Sequence, residues 1–133
     1  MRRPAVRFLS LEEVVRLNEE LVLRYGGSSG VLNENMLRSA VYQPQASYDG
    51  DPLYPDLFAQ AAAYLISVAL AHAFNDGNKR TAFGCVIVFL RLNGIRLKMR
   101  HRAAEKLVMD VVTHRVRSWE EVRDVLVAQM SDR

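Results

Sequence analysis

The stretch HAFNDGNKRT, His72–Thr81, separates two apolar runs of similar length, Ala59–Ala71 and Ala82–Leu92. Long apolar runs without strict alternation predict buried helices rather than strands. The Asn-Asp-Gly-Asn step between them combines residues that favour turns and break helices. The sequence therefore predicts two long helices, from Pro55 to about Ala73 and from Asn78 to about Leu92, joined by a tight turn.

Outside this pair, local signals predict four shorter helices and one polar interval. Ser10 begins the first helix through a capping box with Glu13, and Gly26 ends it. The polar interval Gln45–Pro55 is rich in turn residues and predicts a surface flap or short hairpin. The other predicted elements are helices from Asn33 to about Tyr42, from about Arg102 to Thr113 and from Ser118 to Gln129, with a short extended piece at Ile95–Met99. The expected fold is all-α, a compact bundle of about six helices with at most a small β-hairpin.

Composition predicts one ordinary globular domain, residues 1–133, with half of its residues hydrophobic and a net charge of +3. The run from Ala59 to Phe74 is interrupted by polar residues, so it predicts a core helix and no membrane segment. The single cysteine, Cys85, lies among apolar residues and predicts a small core side chain. The positively charged residues of the chain are scattered and have no aromatic residues between them, so we expect no direct nucleic-acid binding. We expect a cytoplasmic protein.

The polar residues of the turn suit phosphate chemistry when they are taken together. A helix that begins after Gly77 presents unpaired N–H groups, and Lys79 and Arg80 add positive charge there. Asp76 is a hard oxygen ligand suited to magnesium, and His72 can act as a general base near neutral pH. Each residue also has a simpler explanation as a turn, solvent-exposed or core residue. Their combination predicts a site for phosphoryl or nucleotidyl transfer.

HAFNDGNKRT also resembles the signature of the Fic/Doc family, His-x-Phe-x-Asp/Glu-Gly-Asn followed by Gly-Arg or Lys-Arg. The ending Lys79–Ala82 is similar to the Doc (death-on-curing) branch. Similar segments extend from about Phe8 to Gly94 and include RYGGSSGVLNENMLRSAVYQPQ and FLRLNG. A signature of this length and density is specific.

The resemblance implies a role for each matching position. His72 corresponds to the catalytic base, Phe74 to the aromatic residue that anchors the loop, and Asp76 to the position linked to Mg²⁺. The positions implied to bind ATP are Asn75, Gly77, Asn78, Lys79 and Arg80. The family's flap, which pairs with a substrate segment by strand addition, corresponds to Ser47, Tyr48, Asp49, Gly50, Asp51, Pro52, Leu53 and Tyr54.

Two positions distinguish the activities within the family. Fic enzymes that transfer AMP have Gly at the position of Lys79 and a second Arg at the position of Phe83. Doc-type toxins place the nucleotide the other way round and transfer its terminal phosphate. The resemblance therefore implies a kinase that transfers the ATP γ-phosphate to a Ser or Thr hydroxyl of a protein, with elongation factor Tu as target. AMP transfer and a catalytically inactive helical interaction module remain the alternatives.

The resemblance also implies that a separate protein inhibits this one. Many Fic proteins inhibit themselves through a helix carrying Ser/Thr-x-x-x-Glu-Gly/Asn. Glu34 is the one Glu followed by Gly or Asn, and Gly30 stands four residues before it instead of Ser or Thr. We therefore expect a toxin whose partner is a Phd-type antitoxin with a disordered tail that folds onto a groove.

Overall fold

The computed structural model describes residues 5–131 of the chain. This part contains six α-helices and a two-stranded antiparallel hairpin. The elements are α1 (Leu11–Tyr25), α2 (Glu34–Tyr42), β1 (Ser47–Tyr48), β2 (Asp51–Pro52), α3 (Leu57–Ala71), α4 (Asn78–Leu92), α5 (His101–Val112) and α6 (Trp119–Ser131). The expected all-α bundle with a small hairpin is confirmed. The predicted single domain also includes residues 1–4 and 132–133, which lie outside the described residues.

Helix α3 lies at the centre of the bundle and packs against α2, α4, α5 and α6. It is buried along most of its length, and its alanines let the neighbouring helices approach closely. Its largest side chain, Tyr64, is fully buried and contacts Phe89 of α4, with ring centroids 5.0 Å apart. The Tyr64 hydroxyl accepts a hydrogen bond of 2.8 Å from the backbone N–H of Leu9, which attaches the segment before α1 to the core.

The predicted capping box at the start of α1 is confirmed. The Ser10 hydroxyl accepts from the N–H of Glu13, and the Glu13 carboxylate accepts from the N–H of Ser10. Arg7 donates to the same carboxylate at 2.7 Å. These hydrogen bonds, first that of Arg7 and then that of Ser10, lower the pKa of Glu13 to about 2.

The structure corrects two predicted features next to the long helices. Helix α3 begins at Leu57 rather than Pro55, because Asp56 is its N-cap, and it ends at Ala71, because His72 adopts the left-handed conformation, with φ 48° and ψ 43°. Residues 95–99 form no strand, although Ile95, Leu97 and Met99 are partly buried and pack against the core.

Further details concern the core and the hairpin. Cys85 is fully buried, and burial raises the pKa of its thiol to about 12. Trp119 packs against the core at the start of α6. Asp49 and Gly50, between β1 and β2, both have positive φ, as a tight hairpin turn requires. Among the described residues, none of the helices combines the length and the hydropathy needed to cross a membrane.

Candidate active site

The turn between α3 and α4 is held by its own side chains and backbone. Asn78 accepts a hydrogen bond from the N–H of Phe74 and donates one to its carbonyl, both at 3.0 Å. Phe74 is buried, so its ring anchors the turn in the core. Left-handed conformations at His72 and Gly77 reverse the chain direction at the two ends. The left-handed conformation is sterically strained for His72 and would not be for glycine. Strained residues of this kind are typical of functional sites.

The loop Gly26–Gly30, which follows α1, packs directly on the turn. The N–H of Ser28 donates to Oδ2 of Asp76 at 2.7 Å. The N–H of Asn75 donates to the carbonyl of Gly30 at 2.9 Å, and the Asn75 side chain donates to the carbonyl of Ser29. This loop therefore fixes the orientation of the Asp76 carboxylate.

Glycine is needed in this loop because the turn approaches it closely. A Cβ added at Gly27 would lie 2.9 Å from the Cβ of Asp76, a distance that forces one of them to move. Gly27 also has a φ of +109°, which a residue with a side chain rarely adopts. The close approach of the turn thus explains Gly27, and also Gly30, where an added Cβ would lie 2.7 Å from the side-chain nitrogen of Asn75.

Helix α1 supports the turn from the other side. The buried amide of Asn18 donates to the carbonyl of Asp76 at 2.9 Å and to the hydroxyl of Thr81 at 3.0 Å. Gly84 lets α1 approach α4 closely, since a Cβ there would lie 3.1 Å from Leu17. These contacts hold the start of α4 in place.

The N-terminus of α4 is open toward solvent. Side chains cap α1, α2 and α3, whereas Gly77, the N-cap of α4, has none to offer. The first hydrogen bond of the helix runs from the N–H of Thr81 to the carbonyl of Gly77, at 2.8 Å. The preceding N–H groups and the positive end of the helix dipole therefore suit an anion. Asn78 can contribute its backbone N–H there, because its side chain holds the turn, whereas the N–H of Asn75 already donates to the carbonyl of Gly30.

A cleft of about 750 Å³ lies between the turn and α5. Its polar wall contains the predicted catalytic, metal and nucleotide residues together: His72, Asn75, Asp76, Gly77, Asn78, Lys79 and Arg80. Its opposite wall is formed by residues of α5: His101, Ala104, Glu105, Val108, Met109 and Val112. A polar end beside a largely apolar wall is the usual construction of a small-molecule site.

Sequence reasoning missed the wall that α5 forms and the residues that α1 contributes, and two of these carry polar groups close to the site. His101, the first residue of α5, is exposed and lines the cleft, where its Nε2 lies 2.8 Å from a carboxylate oxygen of Glu105. The helical spacing of residues 101, 105, 108 and 112 indicates a common face but not what that face meets. The second residue is Tyr25, whose ring lies against the guanidinium of Arg80.

The predicted flap residues do not line this cleft. Ser47, Tyr48, Asp49, Gly50, Asp51, Pro52 and Leu53 are exposed or partly exposed on the hairpin. Tyr54 is held apart from the turn, because its ring packs edge-on against Trp119 and its hydroxyl accepts from Gln43 at 3.1 Å. The hairpin therefore presents a free surface rather than a wall of the site.

The donor set at the turn suits a metal that arrives with a nucleotide. Within residues 5–131, no three His, Cys, Asp or Glu side chains come together as a metal site. Asp76 offers one carboxylate whose Oδ2 already accepts from Ser28, beside an open helix N-terminus. Mg²⁺ commonly binds through one or two carboxylates together with substrate phosphates and water. The residues present fit that arrangement.

The chain is similar in sequence to proteins of a known family. The chain belongs to the Fic/DOC family, whose sequence profile matches residues 8–90. Among its relatives is the protein kinase doc of Escherichia phage P1, 36% identical over 92 residues, which cover 69% of this chain and 72% of the relative. Another is the toxin Doc of Mycolicibacterium smegmatis, 38% identical over 108 residues, which cover 80% of this chain and 81% of the relative.

Proposed function

We propose that this protein is a Doc-type toxin that transfers the γ-phosphate of ATP to a Ser or Thr hydroxyl of a target protein. The observation that carries the proposal is the single cleft in which His72, Asp76 and the open N-terminus of α4 lie together. The family membership and the names of the two relatives, a protein kinase and a toxin, support the same activity.

The phosphates bind at the start of α4. The backbone N–H groups of the helix start receive phosphate oxygens, and Lys79 and Arg80, both exposed in the cleft, add charge. Lys79 places a long cation at the turn, and Phe83 places an aromatic ring in the cleft. This pair favours the nucleotide orientation that brings the γ-phosphate, rather than the α-phosphate, to the turn.

His72 is the general base of the proposed reaction. Its imidazole removes the proton of the target hydroxyl as the oxygen attacks the γ-phosphorus, so a new P–O bond forms while the bond to the ADP oxygen breaks. The proton stays on His72 until it is released to solvent, and ADP leaves. The left-handed backbone at His72 directs this side chain into the cleft beside the phosphate end.

Mg²⁺, when bound with ATP, would be held by Asp76 and would neutralise the charge that develops on the phosphate oxygens. Asp76 is suited to this because the N–H of Ser28 fixes its carboxylate without supplying a competing cation. The hairpin carrying residues 47–54 would hold the target segment by strand addition, since its outer surface is exposed.

The proposed biological role is arrest of translation in the cytoplasm, with elongation factor Tu as the target and a Phd-type antitoxin as the inhibitor. Expression of the chain alone should stop growth, and co-expression of a cognate antitoxin should restore it. The variant His72→Ala should be tolerated at the same level of expression. Normal growth with abundant wild-type protein would contradict the toxin role.

The transferred group is tested by incubating the protein with cell extract and ATP labelled either at the γ- or at the α-phosphate. We expect a labelled protein of the size of elongation factor Tu from the γ-label alone. His72→Ala should reduce the rate about 10²–10⁴-fold, the usual contribution of a general base. Label from the α-position would identify an adenylyltransferase instead. Absence of ATP binding would identify an inactive interaction module.

A further inference from the structure

The ring of Tyr25, the last residue of α1, packs against the guanidinium of Arg80 in the cleft. The Cζ of Arg80 lies 4.3 Å from the centroid of the Tyr25 ring, and both side chains line the cleft. Tyr25 is 52% exposed and lies outside the hydrophobic core. Burial of apolar surface therefore does not explain an aromatic residue at this position.

The Tyr25 ring is the group that orients the Arg80 guanidinium. Within the described part of the chain, no carboxylate forms an ion pair with Arg80. A carboxylate would orient the guanidinium but would also neutralise it and occupy its N–H donors. An aromatic face attracts the cation and leaves the charge and the donors at the edge of the guanidinium free. The arrangement thus preserves what a phosphate needs.

The position of Tyr25 is itself fixed by the end of α1. The N–H of Gly26 donates to the carbonyl of Val22 at 2.7 Å and closes the helix directly after Tyr25. Two residues later, the N–H of Ser28 binds Asp76. The end of α1 therefore contacts both Asp76 of the turn and Arg80 of α4. These contacts hold the Tyr25 ring at the cleft.

We propose that Tyr25 is a positioning residue for phosphate binding, which acts by holding the Arg80 guanidinium at the phosphate end of the cleft. The inference rests on the proposed function, because the anion that Arg80 receives is the phosphate chain of ATP. A long side chain that is already ordered loses less conformational entropy when it binds its ligand. Tyr25 raises the affinity for ATP in this way without touching the nucleotide.

The pairing is tested without reference to activity by NMR of the Arg80 side chain. A guanidinium over an aromatic face has its Hε and Hδ resonances shifted upfield by the ring current, and Arg80→Lys identifies the Hε signal by removing it. Wild type and Tyr25→Phe should show the upfield shift, whereas Tyr25→Leu should lose it. Leu23→Ala, a matched control at a residue of α1 that is 87% exposed and outside the cleft, should keep it.

The consequence for binding is tested by calorimetry with ATP and Mg²⁺, with His72→Ala in every variant so that ATP is not consumed. Tyr25→Leu should raise the Kd about two- to fivefold, the range for an exposed cation–π contact. Tyr25→Phe should restore the wild-type value. In a chain that also carries Arg80→Ala, Tyr25→Leu should have no further effect, because Tyr25 acts through Arg80.

The outcomes separate this inference from the proposed function. If the chain with wild-type Tyr25 binds ATP and Tyr25→Leu binds it equally well, the positioning role is wrong and the kinase proposal stands. An undiminished effect of Tyr25→Leu in the Arg80→Ala background would also overturn it, since Tyr25 would then act by another route. If the chain with wild-type Tyr25 binds no ATP, the proposed function fails, and unshifted Arg80 resonances would overturn the pairing itself.

Discussion

Asp76 has two separable roles, a hydrogen bond to the loop and a negative charge in the cleft. Asp76→Asn keeps an oxygen that can accept from the N–H of Ser28 but removes the charge. An interaction with a charged group contributes about 1.5–3 kcal/mol, so the magnesium-dependent part of ATP affinity should fall on the order of tenfold to a hundredfold. Calorimetry with and without Mg²⁺ measures it, and thermal unfolding should show little change in stability.

The matched control for this prediction is Asp124→Asn, which removes an exposed carboxylate on α6 outside the cleft and should leave ATP binding as it was. Equal magnesium dependence in wild type and in Asp76→Asn would remove Asp76 from the metal site. Gly27→Ala provides a second test of Asp76, because the added Cβ displaces the Asp76 side chain but keeps its negative charge.

Residues of the turn could be brought together from sequence because they are neighbours in the chain. Only a short stretch of chain contains His72, Asp76 and Arg80, so a tight turn followed by a helix start is enough to bring them into one region. Tyr25 and His101 could not be found, because each reaches the cleft from another helix. Their positions depend on how α1 and α5 pack, which local patterns do not specify.

The start of α1 shows how an element is stabilised by charge as well as by its cap. Glu13 accepts from Ser10 within the capping box and from Arg7 before the helix. Its pKa is lowered to about 2 in the folded protein, below the roughly 4.3 of an unfolded chain. The stability that it contributes is therefore present above about pH 4.3 and is lost as the pH falls toward 2.

Glu13→Gln should reduce the free energy of unfolding at pH 7 by roughly 1 kcal/mol, a modest value because the ion pair with Arg7 is partly exposed. Urea denaturation from pH 7 to pH 2 should show the difference from wild type shrinking below about pH 4.3. Glu12→Gln is the matched control in the same turn, where the described structure shows no hydrogen bond to the side chain, and it should change stability less. A stability difference between wild type and Glu13→Gln that stays constant down to pH 2 would contradict the contribution of the Glu13 charge.

Some helix boundaries were predictable from their caps, although the start of α3 was placed at Pro55 and lies at Leu57, after its N-cap Asp56. The start of α1 at Leu11 and the end of α4 at Leu92 agree with the sequence signals, since Ser10 and Asn93-Gly94 act locally. The end of α3 was placed two residues late, because nothing in the sequence shows that His72 adopts a left-handed conformation. That conformation is maintained by the packed turn and loop around it rather than by the preference of histidine.

At the scale of the whole molecule, the all-α class followed from apolar periodicity and from the scarcity of strand signals. The arrangement of helices around α3 did not follow from sequence, because the apolar pattern of a helix does not specify which neighbour its apolar face meets. Long-range polar contacts select among the arrangements, and Asn18 and Tyr64 are two examples within the described structure. Each is a buried group whose partner lies more than fifty positions away in the chain.

Tyr64 therefore provides a test of how the molecule is held together. Its hydroxyl accepts from the N–H of Leu9, and the ring is fully buried against Phe89. Tyr64→Phe keeps the ring but leaves that N–H without its acceptor, so stability should fall by about 1–3 kcal/mol. Urea denaturation measures the loss, and Tyr42→Phe, at a tyrosine that is 60% exposed, is the control that should change nothing. Because Leu9 and Tyr64 lie away from the cleft, ATP affinity well below the melting temperature should remain that of wild type. Equal stability of Tyr64→Phe and wild type would show that the segment before α1 is held by its apolar contacts alone.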